Sequence, residues 1–331
     1  MMAGSVKTTQ QWLTTVGIIL LVSLSGSSCT GDDAKDKDGK RPEERFEFSS
    51  YTDVEPLMER FNYTPESWAA GVREVPRIYL TNIPPRWRDR VSDEVSVLVK
   101  KRLFFRTLAP LILRANELIL ADRDRISTLA AEVKAGKPLD PKDSDWLAEI
   151  AVRYRVTDGQ QALSGPDELA NVVKELLVRV DMIPLSLVLA QGAEESGWGT
   201  SRFAAEGNAI FGQWTWGGEG ITPKGQREEL GDYRIASFET PLQSVMSYLR
   251  NLDSHPAYEE LRAKRAELRN GGKRISGYEL AKTLTRYSER GQEYVESLHA
   301  IMRVNQLDAA DDAVLGDTPT IYLIPVGQGA E

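Results

Sequence analysis

Two adjacent carboxylates, Glu194 and Glu195, stand in the run Leu189-Ala-Gln-Gly-Ala-Glu-Glu-Ser-Gly-Trp-Gly-Thr200. The sequence around them assigns the two groups different surroundings. Pro184 suits the first turn of a helix, where its missing N–H would have no partner, and Gly197 suits the left-handed residue just past a helix end. Together they bracket a helix of about three turns. Advancing about 100° per residue from Leu185, the residues Val188, Leu189 and Gly192 gather into one buried stripe. Glu195 falls at about 280°, beside Val188, while Glu194 falls at about 180°, on the outward face. Glu195 therefore borders apolar surface at the negative end of the helix dipole, and both conditions favour its protonated form. A carboxylic acid that keeps its proton near neutral pH can protonate a leaving oxygen such as that of a glycosidic bond. The bland alternative is a Glu that caps or ion-pairs a helix end, as most charged side chains there do. Gly192 inside the helix costs about 1 kcal/mol relative to Ala, so another helix or the loop Asn208-Ala-Ile-Phe-Gly212 is expected to approach closely there.

Other chemistries have less material to work with. His255 and His299 are the only histidines, which speaks against a zinc site of the usual His-rich kind and leaves a Ser nucleophile without a recognisable base. No Gly-rich phosphate loop is present, and neither a metal nor a cofactor is expected. The 331 residues are 41% hydrophobic, enough for one large domain or two modest ones. A net charge of -8 disfavours general nucleic-acid binding. The Lys and Arg residues between 86 and 125 alternate with carboxylates and read as a solvated face.

The first 28 residues combine Lys7, an apolar stretch from Val16 to Val22 and a small-residue run ending before Cys29, the pattern of an export signal. Cys29 is the only cysteine, so it forms no intramolecular disulfide. Its position resembles the lipid-acceptor cysteine of bacterial lipoproteins, although Gly26 stands where an aliphatic residue is usual. Cleavage without lipidation and an uncleaved anchor therefore stay open. Residues 29–47 are dense in Asp, Lys, Glu and Gly and read as a flexible tether.

Residues 48–160 read as a helical N-terminal region. Five prolines interrupt 48–90; a strongly apolar helical pattern fills 92–133, where Pro110 is expected to kink or split it; and Asp143 is a candidate cap for a helix carrying Trp146, Leu147 and Ile150. Residues 161–307 read as a second, catalytic region. Leu169, Val172, Val173, Leu176 and Leu177 recur at helical steps before the Glu195 helix. From Gln213 to Phe238 the pattern changes to alternation around Gly217-Gly-Glu-Gly220, a small hairpin or flap. Helices resume at Thr240-Pro241, and Ser276 with Glu279 forms a possible capping box. The tail 308–331 is acidic and reads as loosely held.

Three stretches carry a family resemblance: Ala190-Gln191 with Glu195-Ser-Gly-Trp-Gly199, then Asn208 to Gly212, then Leu284-Thr-Arg-Tyr287-Ser-Glu with Tyr294 beyond. They resemble the glucosaminidase family of peptidoglycan hydrolases. Val75-Pro-Arg-Ile-Tyr79, Lys101-Arg-Leu-Phe-Phe105 and Arg114-Ala-Asn-Glu-Leu118 further resemble the N-terminal part of Bax-type bacterial members, so the likeness reaches from about 75 to 305. The resemblance implies a mainly α, lysozyme-like catalytic domain with a small β-hairpin flap, and cleavage of the β-1,4 bond after N-acetylglucosamine in peptidoglycan. It implies that Glu195 is the general acid, that Tyr287 and Asn208 line the substrate cleft, and that Trp198 locks the turn after the catalytic helix. Trp214 and Trp216 either stack on sugar faces or form the core of the hairpin, since alternate strand residues share a face.

A two-carboxylate glycosidase needs a second group about 5 to 5.5 Å from the acid for retention, or about 6.5 to 9.5 Å for inversion. Family enzymes that have one are thought to draw it from the hairpin, where Glu219, Glu228, Glu229 and Asp232 lie. Glu228 and Glu229, on the return limb, are the leading candidates. The substrate's own acetamido group is the alternative. Two other functions stay in view, a lytic transglycosylase and a non-catalytic wall-binding lipoprotein. The expected setting is a bacterial cell envelope, with glycan strands as substrate and the membrane as partner through Cys29.

Overall fold

The computed structural model describes residues 41–91, 94–159, 165–226 and 231–327. Cys29, Glu228 and Glu229 lie outside the described residues.

The chain first forms strand β1 (Glu43–Phe48) and helix α1 (Tyr51–Arg60), which starts at a full capping box between Ser50 and Asp53. Helix α2 (Pro65–Ala69) and the short strands β2 (Glu74–Val75) and β3 (Ile78–Leu80) follow. The N-terminal region is thus helical but not purely so. Helix α3 (Val97–Lys134) runs through Pro110 as one helix, so of the two expected outcomes, a kink or a split, the split does not occur. A proline costs a helix interior about 3 kcal/mol or more, and here Pro110 sits in a stretch where Leu103, Phe104, Leu108, Ala109, Leu111, Ile112 and Ala115 are all buried around the helix, so packing offsets the lost bond. Helix α4 (Pro141–Arg153) is capped by Asp140, not Asp143: the Asp140 side chain accepts from the Asp143 N–H, with Pro141 in the first turn.

Helices α5 (Pro166–Arg179), α6 (Leu185–Ser196) and α7 (Arg202–Gly207) lead to three short strands, β4 (Trp214–Thr215), β5 (Gly220–Ile221) and β6 (Arg234–Ala236). These are antiparallel in the order β4-β6-β5. The expected hairpin about the Gly217 turn is therefore replaced by a three-stranded sheet in which Ile235 faces both Trp214 and Ile221. Gly220 permits this, since a Cβ there would lie 2.7 Å from the Ile235 carbonyl oxygen. Helix α8 (Pro241–Ser254) starts as expected, with the Thr240 hydroxyl accepting from Gln243 N–H and Pro241 at the first turn. Helices α9 (Glu259–Asn270), α10 (Gly277–Ala281) and α11 (Gln292–Val304) follow, then a 3-10 turn (Leu307–Asp312) and strands β7 (Val314–Leu315) and β8 (Thr320–Pro325).

The tail is not loose. β8 is the central strand of a parallel sheet ordered β1-β8-β3, with Glu43 opposite Thr320 and Phe48 opposite Pro325. The same pairing takes residues 43–47 out of the expected tether. Ile321 and Leu323 are buried, and the alternation is that of a half-buried strand. The pairing partners lie about 280 positions away in the sequence, so no local window reveals them. Asp311, in the same tail, accepts from Ser186 N (2.8 Å), Ser186 Oγ (2.9 Å) and Gly277 N (2.8 Å), capping α6 and α10 at once. Ser276 occupies the cap position of α10 but makes no side-chain cap bond, so the Ser276–Glu279 box does not form; Glu279 pairs with Lys282 instead.

One continuous core runs from Phe48 to Leu323, joining the N-terminal helices, the α6 region and the tail. The whole is mainly α, a lysozyme-like helical domain with small sheets and a helical N-terminal part. Among the described residues, no helix is long and apolar enough to cross a membrane.

Candidate active site

Helix α6 is the mount of the site. Every residue from Leu185 to Ala193, and Ser196, is buried, so Glu194 and Glu195 are its only half-exposed members. Gly197 ends the helix in the left-handed conformation (φ 56°, ψ 48°), as its position in the sequence leads one to expect. The Ser196 hydroxyl donates to Gly192 O (2.5 Å) and accepts from Gly199 N (2.8 Å), and the Trp198 ring stands edge-on to Phe104 and Phe105. The turn beyond the helix is thereby locked to α3. Both expected neighbours of Gly192 are present: a Cβ there would lie 2.9 Å from Leu108 Cδ2, on α3, and 3.5 Å from Ile210 Cγ2, in the 208–212 loop.

The Glu195 carboxyl faces an aromatic cluster. Its Oε1 accepts from the Tyr294 hydroxyl at 2.8 Å. Tyr294 stacks nearly parallel on Tyr287 (centroids 5.3 Å, 9°), and Tyr287 meets Tyr258 at 5.8 Å. Gln191, one helical turn before Glu195, donates from Nε2 to the Tyr294 oxygen at 2.9 Å and accepts at Oε1 from the Tyr248 hydroxyl. Tyr248 is itself stacked on Phe211.

Burial raises the Glu195 pKa above its ordinary value; the Tyr294 hydrogen bond opposes this, the Glu194 charge adds to it, and Arg290 opposes it. The net direction is the one an acid catalyst requires. Burial, followed by the neighbouring Glu195 charge, pushes the Tyr287 phenol well up as well, and burial likewise raises Tyr294 and Tyr248, so these hydroxyls stay protonated donors. Glu194 is not simply solvated: Arg290 Nη1 holds its Oε1 at 2.5 Å, and Arg290 also reaches Ser297 Oγ. Adjacent in sequence, the two carboxylates differ in partner, one a guanidinium and the other a phenol.

The remaining expected site residues separate. Tyr287 belongs to the cluster. Trp214 and Trp216 are 43% and 64% exposed, so neither is buried in the sheet region; Trp214 stacks on the buried Tyr233 (4.4 Å, 27°) and meets Trp216 edge-on. Asn208 is not a free cleft donor. Buried and left-handed (φ 52°), it accepts at Oδ1 from Ile83 N (2.9 Å) and donates from Nδ2 to Asn82 Oδ1, Phe238 O and Glu239 O (3.0, 3.0 and 3.2 Å). Its polar capacity is used in tying α7 to two loops. Glu219 and Asp232, the described carboxylates of the sheet region, are both exposed.

Among the described residues, no group of three or more His, Cys, Asp or Glu side chains could hold a metal ion. His255 accepts from Ala257 N, and His299 stacks on Tyr278 with its Nε2 2.9 Å from the Tyr278 carbonyl oxygen. Gln191, Tyr248 and Tyr258 enter the site without a sequence-based expectation of their roles. The signal for Gln191 was a polar residue four positions before Glu195 on a buried stripe; nothing local marks the two tyrosines.

Comparison with known proteins adds two findings. The Glucosaminidase family model, described as mannosyl-glycoprotein endo-beta-N-acetylglucosaminidase, matches residues 170–307, which contain α6, the three-stranded sheet and the tyrosine cluster. Protein Bax of Escherichia coli (strain K12) is 32% identical over 207 residues, covering 62% of this chain and 70% of Bax. No solved structure matches the chain.

Proposed function

The chain belongs to the bacterial Bax-type glucosaminidase-domain proteins, and from that premise we propose that it is a peptidoglycan hydrolase cleaving the β-1,4 bond after N-acetylglucosamine, with Glu195 as general acid. The observation that carries the reading is the Glu195 carboxyl: half-buried at the end of an otherwise buried helix, its pKa raised by desolvation, and gripped on one oxygen by Tyr294. In the proposed step its proton passes to the glycosidic oxygen as the bond from the anomeric carbon breaks and the electron pair leaves with that oxygen. The sugar ring carries the developing positive charge. Either a carboxylate of the 228–229 pair or the substrate's acetamido oxygen then stabilises that centre, and water completes hydrolysis. Trp214 and Trp216, exposed on the sheet, suit stacking on sugar faces, and Tyr287 suits the cleft wall.

Digestion of purified peptidoglycan with wild type and Glu195→Gln, followed by mass spectrometry of the ends, tests this. Reducing N-acetylglucosamine ends, lost in the variant, are expected. Anhydromuramic ends would instead identify a lytic transglycosylase. Undiminished wall binding with no cleavage by either protein would identify a non-catalytic envelope lipoprotein.

The proposed setting is the bacterial envelope, after export, with Cys29 lipid-anchored and the segment up to residue 42 as a tether toward the wall. Labelling cells with palmitate checks this: Cys29→Ala is expected to lose the label, and an unlabelled wild type refutes the anchor.

A further inference from the structure

The hydrogen bond on Glu195 is the outer end of a line that runs into the core with a fixed direction. Tyr248 is wholly buried, and among the described residues Gln191 is the hydrogen-bond partner of its hydroxyl. Leaving that buried hydroxyl proton without an acceptor is strongly unfavourable, so it is given to the Gln191 Oε1. The amide then has only its NH2 end for Tyr294, at 2.9 Å. The Tyr294 oxygen accepts from Gln191, and its single proton is directed at Glu195 Oε1, at 2.8 Å. The reverse polarity would orphan the Tyr248 proton and, whenever Glu195 is ionised, set a carboxylate oxygen against a phenol lone pair.

We infer that Gln191 and Tyr248 are positioning residues for the acid, acting through Tyr294 to keep Glu195 Oε1 an acceptor in both protonation states and its transferable proton on Oε2. The inference rests on the reading of Glu195 as a general acid. On proton transfer the Oε2–H bond breaks, the proton goes to the glycosidic oxygen, and Tyr294 keeps its own proton. The Tyr294 bond to Oε1 becomes charge-assisted as the carboxylate forms, so it strengthens where the reaction needs it. The Tyr287 ring, stacked on Tyr294, fixes the plane of that donor.

The groups bearing on the Glu195 charge are few. Glu194 lies on the same helix, Arg290 on the segment leading into α11, Tyr294 in the first turn of α11, and Tyr287, Tyr258 and Tyr248 on the flanking elements; Asp311 sits at the far end of α6. Of these, only Tyr294 hydrogen-bonds the carboxyl among the described residues.

The test is a 13C NMR titration of the Glu195 side-chain carboxyl in the full chain, assigned with Glu195→Gln. Tyr294→Phe is expected to move its midpoint up by about one pH unit or more, because a hydrogen bond that favours the ionised form is gone. Tyr248→Phe is expected to move it in the same direction, since the released Gln191 amide can turn its oxygen toward Tyr294 and draw the hydroxyl away. In a Tyr294→Phe background, Tyr248→Phe is expected to add nothing. In turnover, both single variants are expected to lose about tenfold in kcat with KM unchanged. Gln191→Met fills the same space without an oxygen that could draw the Tyr294 hydroxyl away, so it is expected to move the midpoint by clearly less than Tyr294→Phe does, and it keeps the inference testable if Tyr248→Phe does not fold. An unmoved midpoint in Tyr248→Phe, a Gln191→Met shift as large as that of Tyr294→Phe, or shifts that add in the double variant, overturns the inference. The titration needs no turnover. A coupled titration in a protein that cleaves no glycan would therefore defeat the hydrolase reading alone, and an uncoupled one in an active enzyme would defeat the positioning role alone.

Discussion

Gly277→Ala tests the way the Glu195 helix is mounted. A Cβ at residue 277 would lie 2.1 Å from Ser186 Oγ, 2.7 Å from Leu187 N and 3.0 Å from Leu187 Cβ. The first of these atoms can rotate, but the second is backbone of α6 and cannot. Forcing one methyl into such a contact costs about 1–3 kcal/mol. The clash also disturbs the two amides that Asp311 caps, Ser186 N and Gly277 N, each worth about 0.5–2 kcal/mol. The expected loss is therefore about 2–5 kcal/mol, the sum of one overpacking term and part of the two caps. Urea unfolding at constant m-value measures it. Gly225→Ala supplies the control, since a Cβ there meets nothing within 4 Å; it is expected to fall within about 0.5 kcal/mol of wild type. Adding Ser186→Ala removes the nearest clashing atom but not Leu187 N, so the double variant is expected to be less destabilised than the two singles summed. A loss below about 1 kcal/mol for Gly277→Ala, or strict additivity with Ser186→Ala, would refute this account of how α10 seats against α6.

Three further outcomes follow from the same structure. Glu195→Gln is expected to lower kcat by about 10²–10⁴-fold, yet to raise the melting temperature at neutral pH. Burial holds the folded carboxyl above its ordinary value of 4.5, so the stability of the protonated form is present below that value and is lost as pH rises through the folded pKa, a loss Gln does not suffer; melting curves of equal separation at pH 3 and pH 8 would contradict this. Trp214→Ala is expected to raise KM for polymeric glycan with little change in Tm, because the ring is 43% exposed; an unchanged KM would remove it from the substrate path. Leu323→Ala, in the tail, is expected to cost about 2–5 kcal/mol by chemical denaturation, the range for a buried leucine on a central strand, whereas a loosely held tail would give almost none.

Local chemistry decided much of this molecule before any packing was considered. The Gly197 stop, the Thr240-Pro241 helix start and the separation of Glu195 from Glu194 about the α6 axis were all readable, because each depends on residues within one or two turns. So was the change of pattern at residue 213. The errors share a cause as well. The ordered tail and the failed Ser276 box each hinge on partners from distant parts of the chain, and neither propensity nor periodicity contains those.

By itself the sequence determined that Glu194 and Glu195 leave α6 in different directions, since a helix fixes the direction of each side chain from spacing alone. Tertiary structure decided what surrounds that acid. Tyr248, Tyr287 and Tyr294 arrive from positions 53 to 99 residues further along the chain, and Asp311 anchors the other end of the same helix from a segment that looked dispensable. It likewise moved Asn208 from the cleft to the scaffold. Spacing fixes where a side chain points; only the folded packing of remote segments fixes what it meets there, and for a half-buried carboxyl that environment shifts its proton affinity.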